Sequence, residues 1–192
     1  FGLDHIPEEK GAVVATNHSS NLDPPLIGAD LTRPLFTMAK KSLHETPVLG
    51  SVIRRLYSFS VRRGVLDTTA LRTAVSLLEH DNLVLMFPEG TRSPDGELQK
   101  PRPGVGKIVA EASVPVVPGY VKGSYEAWPK GQAVPKPHKT SVHFGEPLEL
   151  TERAHGATDR EDYEAISQRI IDSIRGIKNR VDSTSQEGTG QD

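Results

Sequence analysis

Two short segments of this sequence carry side chains whose types and spacing suit proton transfer and anion binding. The first, residues 17–23, reads Asn-His-Ser-Ser-Asn-Leu-Asp and places Asp23 five positions after His18. The second, residues 87–93, reads Phe-Pro-Glu-Gly-Thr-Arg-Ser. Each lies at the end of a short apolar run, so both are predicted to lie where a buried strand ends. A base with an acid to orient it, beside a cradle for an anion, suits a reaction on a phosphate-bearing alcohol.

The first segment indicates general acid–base chemistry. The unperturbed pKa of histidine lies close to neutral pH, so its ring can take a proton from an alcohol and return it to a leaving group. A turn between the two residues would let Asp23 fold back onto His18, fix its tautomer and stabilise the imidazolium. Two other interpretations stay open: the pair are ordinary loop and helix-cap residues, or Ser19 is a nucleophile. The nucleophile is disfavoured because neighbouring side chains at a strand end diverge and the sequence has no Gly-x-Ser-x-Gly elbow.

The second segment indicates an anion cradle. Gly90 lets the backbone approach a ligand closely, Thr91 supplies a hydroxyl, and Arg92 presents a planar fork that matches phosphate oxygens. Glu89 accepts hydrogen bonds when ionised and could hold a substrate hydroxyl. Taken alone, the default interpretation of such a segment is an ordinary strand-to-loop turn that carries a solvated ion pair.

Basic residues follow two further predicted strands. Lys40 comes after the apolar residues 35–39, and Arg63 comes after residues 57–61. Open α/β sheets bind ligands beyond the carboxyl ends of their strands. Although most lysines and arginines are simply solvated, basic residues and both motifs at such ends together favour an anionic substrate.

Apolar runs alternate with helix-like stretches along the chain, which predicts an α/β fold. The predicted strands are residues 11–16, 35–39, 57–61, 83–87, 114–121 and 140–144. One predicted helix begins at residue 23, and four others span residues 46–56, 68–79, 106–112 and about 159–180. We predict one domain over residues 1–181 and a disordered polar tail over residues 182–192.

The composition argues against several classes of protein. A net charge of −2 and a pI near 6.4 are unlike those of a general nucleic-acid binder. The absence of cysteine excludes disulfides, a thiolate nucleophile and a zinc–thiolate site, and the histidines show no metal-ligand spacing. No apolar stretch approaches the ~20 residues that span a bilayer. If the protein acts on lipids, it is therefore expected to lie on the membrane surface or to be anchored by a segment outside this sequence.

As a set, these motifs resemble those of the glycerophospholipid acyltransferase family, and within it the bacterial 1-acyl-sn-glycerol-3-phosphate acyltransferases. The Asn-His-x-x-x-x-Asp block matches residues 17–23, and an apolar strand ending in Arg-Gly matches residues 61–64. Phe-Pro-Glu-Gly-Thr-Arg-Ser is complete at residues 87–93, and Val-Pro-Val-Val-Pro stands at residues 114–118. A departure follows the third block, where Lys-Pro-Arg-Pro-Gly at residues 100–104 replaces the frequent Phe-Lys-Lys-Gly.

The resemblance implies a single-domain glycerolipid acyltransferase-like fold, with a central mixed sheet flanked by helices. His18 would deprotonate the free hydroxyl of 1-acyl-glycerol 3-phosphate, and Asp23 would orient His18. The oxygen would attack acyl-CoA or acyl-carrier protein directly, without an acyl-enzyme or cofactor, and the product would be phosphatidic acid. The residues implied to hold the glycerol phosphate are Glu89, Gly90, Thr91, Arg92, Arg63 and Lys40.

The implied partners are a lysophospholipid acceptor, an acyl donor and a membrane surface, and not nucleic acid. The expected location is the cytoplasmic face of the cell membrane, with attachment that is peripheral or through a segment outside this sequence. Two alternatives remain: the same chemistry on another lysolipid or glycerol-phosphate acceptor, or a non-catalytic module that binds lipid phosphate.

Overall fold

Six apolar runs form the strands of a central sheet. The structure, a computed structural model, describes residues 1–40, 57–61, 68–150 and 156–187. The strands are β1 (Ala12–Thr16), β2 (Leu35–Lys40), β3 (Ser58–Val61), β4 (Leu83–Met86), β5 (Val116–Lys122) and β6 (Ser141–Phe144). They lie in the order β3-β2-β4-β1-β5-β6. The first five in this order are parallel, and β6 runs antiparallel to β5, so the expected mixed sheet is confirmed.

The arrangement of the central strands positions the two motifs. Every residue of β1 and of β4 is buried, as is typical of parallel strands covered on both faces. The two strands are neighbours and run in the same direction, with Ala15 opposite Met86. The segments that follow them, residues 17–23 and 87–93, therefore begin side by side at the carboxyl edge of the sheet.

Five α-helices occur within the described residues, on both faces of the sheet. They are α1 (Asp23–Gly28), α2 (Thr68–Glu79), α3 (Pro103–Ala112), α4 (Ser124–Ala127) and α5 (Arg160–Glu187). Helices α2, α3 and α5 cover one face, and α1 with Ile6 covers the other. None of the described helices is both long and apolar enough to cross a lipid bilayer.

Helix α5 buries a stripe of isoleucines that includes Ile166, Ile170 and Ile174. It packs closely against α3 at Gly106, where a Cβ atom would lie 2.0 Å from the carbonyl oxygen of Tyr163. The N–H of Gly106 donates a hydrogen bond of 3.0 Å to Ser167 Oγ. Only a residue without a side chain fits at this contact.

Two predictions need correction. The polar tail predicted from residue 182 is wrong for residues 182–187, because α5 continues to Glu187. Asp182 stabilises the last turns through ion pairs with Lys122 at 3.1 Å and Lys178 at 3.2 Å. The four-residue helix α4 was not predicted. Residues 188–192 and the predicted helix at residues 46–56 lie outside the described residues.

Candidate active site

His18 and Asp23 meet at the carboxyl end of β1, as their spacing predicted. His18 Nδ1 lies 2.8 Å from Asp23 Oδ2. The same oxygen accepts the N–H groups of Ser19 at 2.7 Å and Ser20 at 2.8 Å. Asp23 is the first residue of α1 and is fully buried. Its carboxylate turns back over the loop that precedes the helix and holds this loop in one conformation.

This contact defines the roles of the two ring nitrogens. Asp23 Oδ2 already accepts two backbone N–H groups, as a carboxylate oxygen does, so Nδ1 of His18 is assigned as the hydrogen-bearing donor to it. Proton exchange with a substrate then falls to Nε2. The ring stacks on Phe87, with centroids 3.8 Å apart and planes 12° apart, and His18 is 7% exposed. The imidazole is therefore oriented by Asp23 on its edge and by Phe87 on its face.

The second motif holds the backbone of His18. The N–H of His18 donates to Glu89 Oε1 at 2.8 Å, and the carbonyl oxygen of His18 accepts the N–H of Ser93 at 2.7 Å. Both polar backbone groups of the histidine are thus bonded to the loop that follows β4. The candidate base and the candidate anion cradle form one interlocked unit.

Glu89 lies deeper than the sequence suggested. Its second oxygen, Oε2, accepts the N–H of Gln99 at 2.9 Å, and the residue is 2% exposed. Burial raises the pKa of Glu89 from 4.5 to about 7; the N–H groups of Gln99 and His18 act against this rise, and the charges of Asp23 and Asp95 add to it. The expectation that Glu89 holds a substrate hydroxyl does not fit this burial, because the residue is 2% exposed and its oxygens face the backbone N–H groups of His18 and Gln99.

A tight turn at residues 87–90 brings a further basic residue to the site. The N–H of Gly90 donates to the carbonyl oxygen of Phe87 at 2.9 Å, and the φ of Gly90 is +68°. A Cβ atom at Gly90 would lie 2.7 Å from Cδ of Arg102, so the arginine crosses the turn where only glycine leaves room. The N–H of Arg102 also donates to the carbonyl oxygen of Pro88 at 2.8 Å.

The two arginines beside this turn are available to an anion. Arg92 is partly exposed and Arg102 is exposed. Among the residues that the structure describes, neither guanidinium has a hydrogen bond or an ion pair. Arg102 was not among the predicted site residues. The signal for it in the sequence is the basic segment at residues 100–104, which departs from the family pattern.

The other predicted cradle residues are placed as follows. Thr91 lies partly exposed between Gly90 and Arg92. Lys40 is the last residue of β2, which pairs with β4, and so stands at the same edge of the sheet. Arg63 lies outside the described residues.

Asn17 has a structural part that the sequence did not reveal. Its amide nitrogen donates to the carbonyl oxygen of Val121 at 3.1 Å, and its amide oxygen accepts the N–H of Val121 at 2.7 Å. This buried pair ties the start of the His18 loop to β5.

Within the described parts of the chain, no group of three or more His, Cys, Asp or Glu side chains is placed to hold a metal ion.

Known proteins are similar to this chain in sequence and in fold. The family model described as Acyltransferase matches residues 1–122. The chain is 28% identical over 184 residues to the 1-acyl-sn-glycerol-3-phosphate acyltransferase of Bacillus subtilis (strain 168), covering 95% of this chain and 88% of that protein. It is 28% identical over 150 residues to the enzyme of the same name from Limnanthes alba, covering 77% of this chain and 53% of the relative. This chain thus spans about half the length of the plant enzyme.

A solved structure agrees with these matches. The crystal structure of the 1-acyl-sn-glycerophosphate (LPA) acyltransferase PlsC from Thermotoga maritima superposes with a TM-score of 0.73 at 30% identity, covering 93% of this chain and 70% of that one. The resemblance inferred from the motifs is therefore confirmed, and so is the fold that it implied. With a family model that matches most of its length and a fold shared with a solved member, this chain belongs to the acyltransferase family.

Proposed function

We propose that this protein transfers a fatty acyl group from a thioester donor to the free hydroxyl of 1-acyl-glycerol 3-phosphate, which yields phosphatidic acid. The observation that carries the proposal is the interlock between His18 and the loop that holds Arg92. Both polar backbone groups of His18 are bonded to Glu89 and Ser93. A proton acceptor is thereby held beside basic groups suited to the phosphate of the acceptor. The names of the relatives support this choice of substrate.

The proposed reaction needs one group that first accepts a proton and later donates it. Nε2 of His18 takes the proton of the acceptor hydroxyl, and Asp23 stabilises the imidazolium that forms. The acceptor oxygen attacks the thioester carbonyl carbon, a C–O bond forms, and the C–S bond breaks as the tetrahedral intermediate collapses. The imidazolium returns its proton to the leaving sulfur, so the products are an ester and a free thiol. This redox-neutral sequence requires the acyl donor as co-substrate and no other cofactor.

The phosphate of the acceptor is assigned to the basic groups at the carboxyl edge. Arg92 and Arg102 would bind it with their guanidinium groups, and the turn at Gly90 keeps the backbone clear of the ligand. The Thr91 hydroxyl supplies a further donor. Lys40, at the end of β2, and Arg63 are proposed as additional contacts on the neighbouring strands. Glu89 acts in this scheme by positioning His18 and does not touch the substrate.

The donor is proposed to be acyl-CoA or an acyl-carrier protein, and the site of action is the cytoplasmic face of the cell membrane. A lysophospholipid resides in a bilayer, whereas both donors are water-soluble. The active site therefore has to meet the lipid surface from the aqueous side.

Acyl transfer to a panel of acceptors tests the proposal. Purified wild-type, His18→Ala and His80→Ala proteins are given acyl-CoA with lysophosphatidate, glycerol 3-phosphate or a neutral lysolipid, and the products are identified by mass spectrometry. His18→Ala is expected to lose a factor of about 10²–10⁴ in rate, because general-base assistance is lost. His80→Ala, at an exposed histidine that bonds the carbonyl oxygen of Ser76, serves as the matched control and is expected to remain active.

The same assay separates the alternatives. Free thiol is expected only when an acceptor is present. Thiol release without acceptor, together with an acyl group trapped on Ser19, would instead identify a hydrolase. A product formed only from glycerol 3-phosphate or from a neutral lysolipid would change the acceptor and retain the chemistry. Near-normal transfer by His18→Ala would refute the mechanism, and absence of any transfer by the wild type would favour a lipid-phosphate-binding module.

A further inference from the structure

The carboxyl edge of the sheet carries His18 and is called the catalytic edge below. A basic loop at residues 128–139, which connects α4 to β6, lies at the same edge. It reads Trp-Pro-Lys-Gly-Gln-Ala-Val-Pro-Lys-Pro-His-Lys, with three lysines, one histidine and no acidic residue. Strand β6 begins at the carboxyl edge of the sheet, since Ser141 pairs with Lys122 at the end of β5. The basic loop therefore leaves and re-enters the sheet at the edge that carries His18.

The basic loop has a defined conformation. At its start, Trp128 Nε1 donates to the carbonyl oxygen of Gln132 at 2.9 Å, and the N–H of Lys136 donates to the carbonyl oxygen of Ala127 at 2.7 Å. At its end, Lys139 lies against Gly123, where a Cβ atom would come within 2.1 Å of the lysine carbonyl oxygen. These contacts close the loop on itself and hold the course of its backbone at both ends.

The basic loop is joined by a hydrogen bond to residues 17–23, the segment that carries His18 and Asp23. Ser20 Oγ donates to the carbonyl oxygen of Trp128 at 2.9 Å, and the N–H of Ser20 donates to Asp23 Oδ2. Only Ser20 stands between the basic loop and the carboxylate that orients His18. The start of the basic loop is therefore anchored to the turn that orients His18.

The exposed residues of the basic loop combine two chemistries. Val134 is 69% exposed at its centre, between Ala133 and Pro135. Lys130 and Lys136 flank this apolar tip and are exposed. Within the described part of the chain, neither lysine has an ion-pair partner. An apolar tip between cations suits the boundary of a bilayer, where aliphatic groups enter the acyl region and lysines reach the phosphates.

We propose that the basic loop docks on the surface of an anionic lipid bilayer and so presents the catalytic edge to acceptors that lie in it. This inference rests on the proposed function, which places the acceptor in a lipid. An acidic protein would also attract the lysines, but it would not account for an exposed valine at the tip. The apolar centre therefore selects the lipid surface as the occupant.

The test compares vesicle binding by a loop variant with that of the wild type. The variant carries Lys130→Gln, Lys136→Gln and Lys139→Gln, and binding is measured by co-sedimentation with phosphatidylcholine vesicles with and without phosphatidylglycerol. Each lysine near an anionic surface strengthens binding by roughly fivefold. The triple variant is expected to bind the anionic vesicles roughly a hundredfold more weakly. A Val134→Asp variant is expected to weaken binding as well.

A second triple variant controls for net charge. Lys10→Gln, Lys107→Gln and Arg169→Gln remove three positive charges outside the basic loop, and this protein is expected to bind anionic vesicles as the wild type does. Equal losses in both triple variants would show a general charge effect and overturn the proposal. So would unchanged binding by the loop variant.

Activity on soluble substrates separates this inference from the proposed function. With acyl-CoA and a short-chain, water-soluble lysophosphatidate, the loop variant is expected to keep its wild-type rate and to lose rate only when the acceptor is in anionic vesicles. Absence of transfer by the wild type on the soluble acceptor would count against the proposed function, whatever the vesicle binding. Normal vesicle binding with a loss of rate confined to an acyl-carrier-protein donor would show that the loop docks an acidic protein, and would overturn the lipid surface.

Discussion

Among individual residues, two kinds of contact build the candidate active site, one local in the chain and one between distant segments. A histidine and an aspartate five positions apart across a turn can meet through local chain geometry alone, and they do so at 2.8 Å. The positions of Glu89 and Arg102 depend on segments that meet only in the folded chain. A carboxylate that could accept a substrate hydroxyl is indistinguishable, as a sequence letter, from one whose oxygens are bonded to backbone N–H groups.

Glu89 is expected to make the stability of the fold depend on pH. Burial raises its pKa in the folded state from 4.5 to about 7, so the folded chain retains a proton that the unfolded chain releases between these values. The contribution of Glu89 to the free energy of unfolding is therefore fully present below about pH 4.5 and is lost as the pH rises through about 7. A shift of this size corresponds to about 3 kcal/mol.

The Glu89→Gln variant isolates this effect, because glutamine does not titrate. Urea unfolding, followed by circular dichroism from about pH 4.5 to about pH 8, gives the difference in the free energy of unfolding between wild type and variant. That difference is expected to fall by about 3 kcal/mol as the pH rises. A difference that stays constant across the range would show that Glu89 does not titrate in it.

Arg102 is expected to affect the binding of the acceptor more than the rate of transfer. A hydrogen bond to a charged group contributes about 1.5–3 kcal/mol, so Arg102→Gln should raise KM for lysophosphatidate roughly 10- to 100-fold. Arg102→Lys should recover part of this loss, and KM for acyl-CoA should not change. Steady-state kinetics checks this, with the exposed Arg72→Gln as control. A fall in kcat at constant KM would show that Arg102 acts on the chemical step instead.

At the level of elements, the strands were predicted well because parallel strands buried on both faces are continuous apolar runs. Each observed strand end lies within two residues of its prediction, and α2 begins and ends as predicted. Helix α4 was missed because four residues, 124–127, are too few to show a helical period. The end of α5 was missed because its last turns are polar and are stabilised by the ion pairs of Asp182, which local periodicity does not reveal.

Two glycines in α3 provide a matched test of how α3 and α5 pack. A Cβ atom at Gly106 would overlap the carbonyl oxygen of Tyr163, whereas one at Gly104 would meet nothing within 4 Å. Gly106→Ala is therefore expected to lower the free energy of unfolding by about 3 kcal/mol or more. Gly104→Ala should be neutral or stabilising by up to about 1 kcal/mol.

Urea unfolding of both variants measures the difference. If Gly106→Ala lowers the free energy of unfolding no more than Gly104→Ala does, the helices can separate at this contact without loss of stability. A large loss at Gly106 alone would show that the close approach is required, and a vesicle- or substrate-dependent effect is not expected at either position.

On the scale of the whole molecule, the strand order could not be predicted from local patterns in the sequence. Strands β1 and β4 are neighbours although β2 and β3 lie between them in the chain. The adjacency of residues 17–23 and 87–93 follows from this order, because both segments leave the same edge. Pairings over such separations depend on the packing of the complete chain and leave no local signal.

A hydrophobic core lies on each face of the sheet, and both cores are built from the same strands. The described fold is therefore expected to unfold as one unit. Leu85 lies in the core under α1, and Ile170 lies in the core under α5. Leu85→Ala and Ile170→Ala should each lower stability by about 2–5 kcal/mol. In both variants, the fluorescence of Trp128 and far-ultraviolet circular dichroism should give the same transition midpoint. Separate midpoints would show that the catalytic edge unfolds independently of the sheet.

The bonding of one histidine backbone to two points of another loop also limits how such enzymes can be re-engineered. A chimera that imports residues 87–102 from a relative would bring a new spacing between the groups that hold the N–H and the carbonyl of His18. Any mismatch would tilt the imidazole as well as reshape the anion cradle. Altered acceptor preference is therefore obtained most safely by exchanging residues 17–23 and 87–102 together, as a single inherited module.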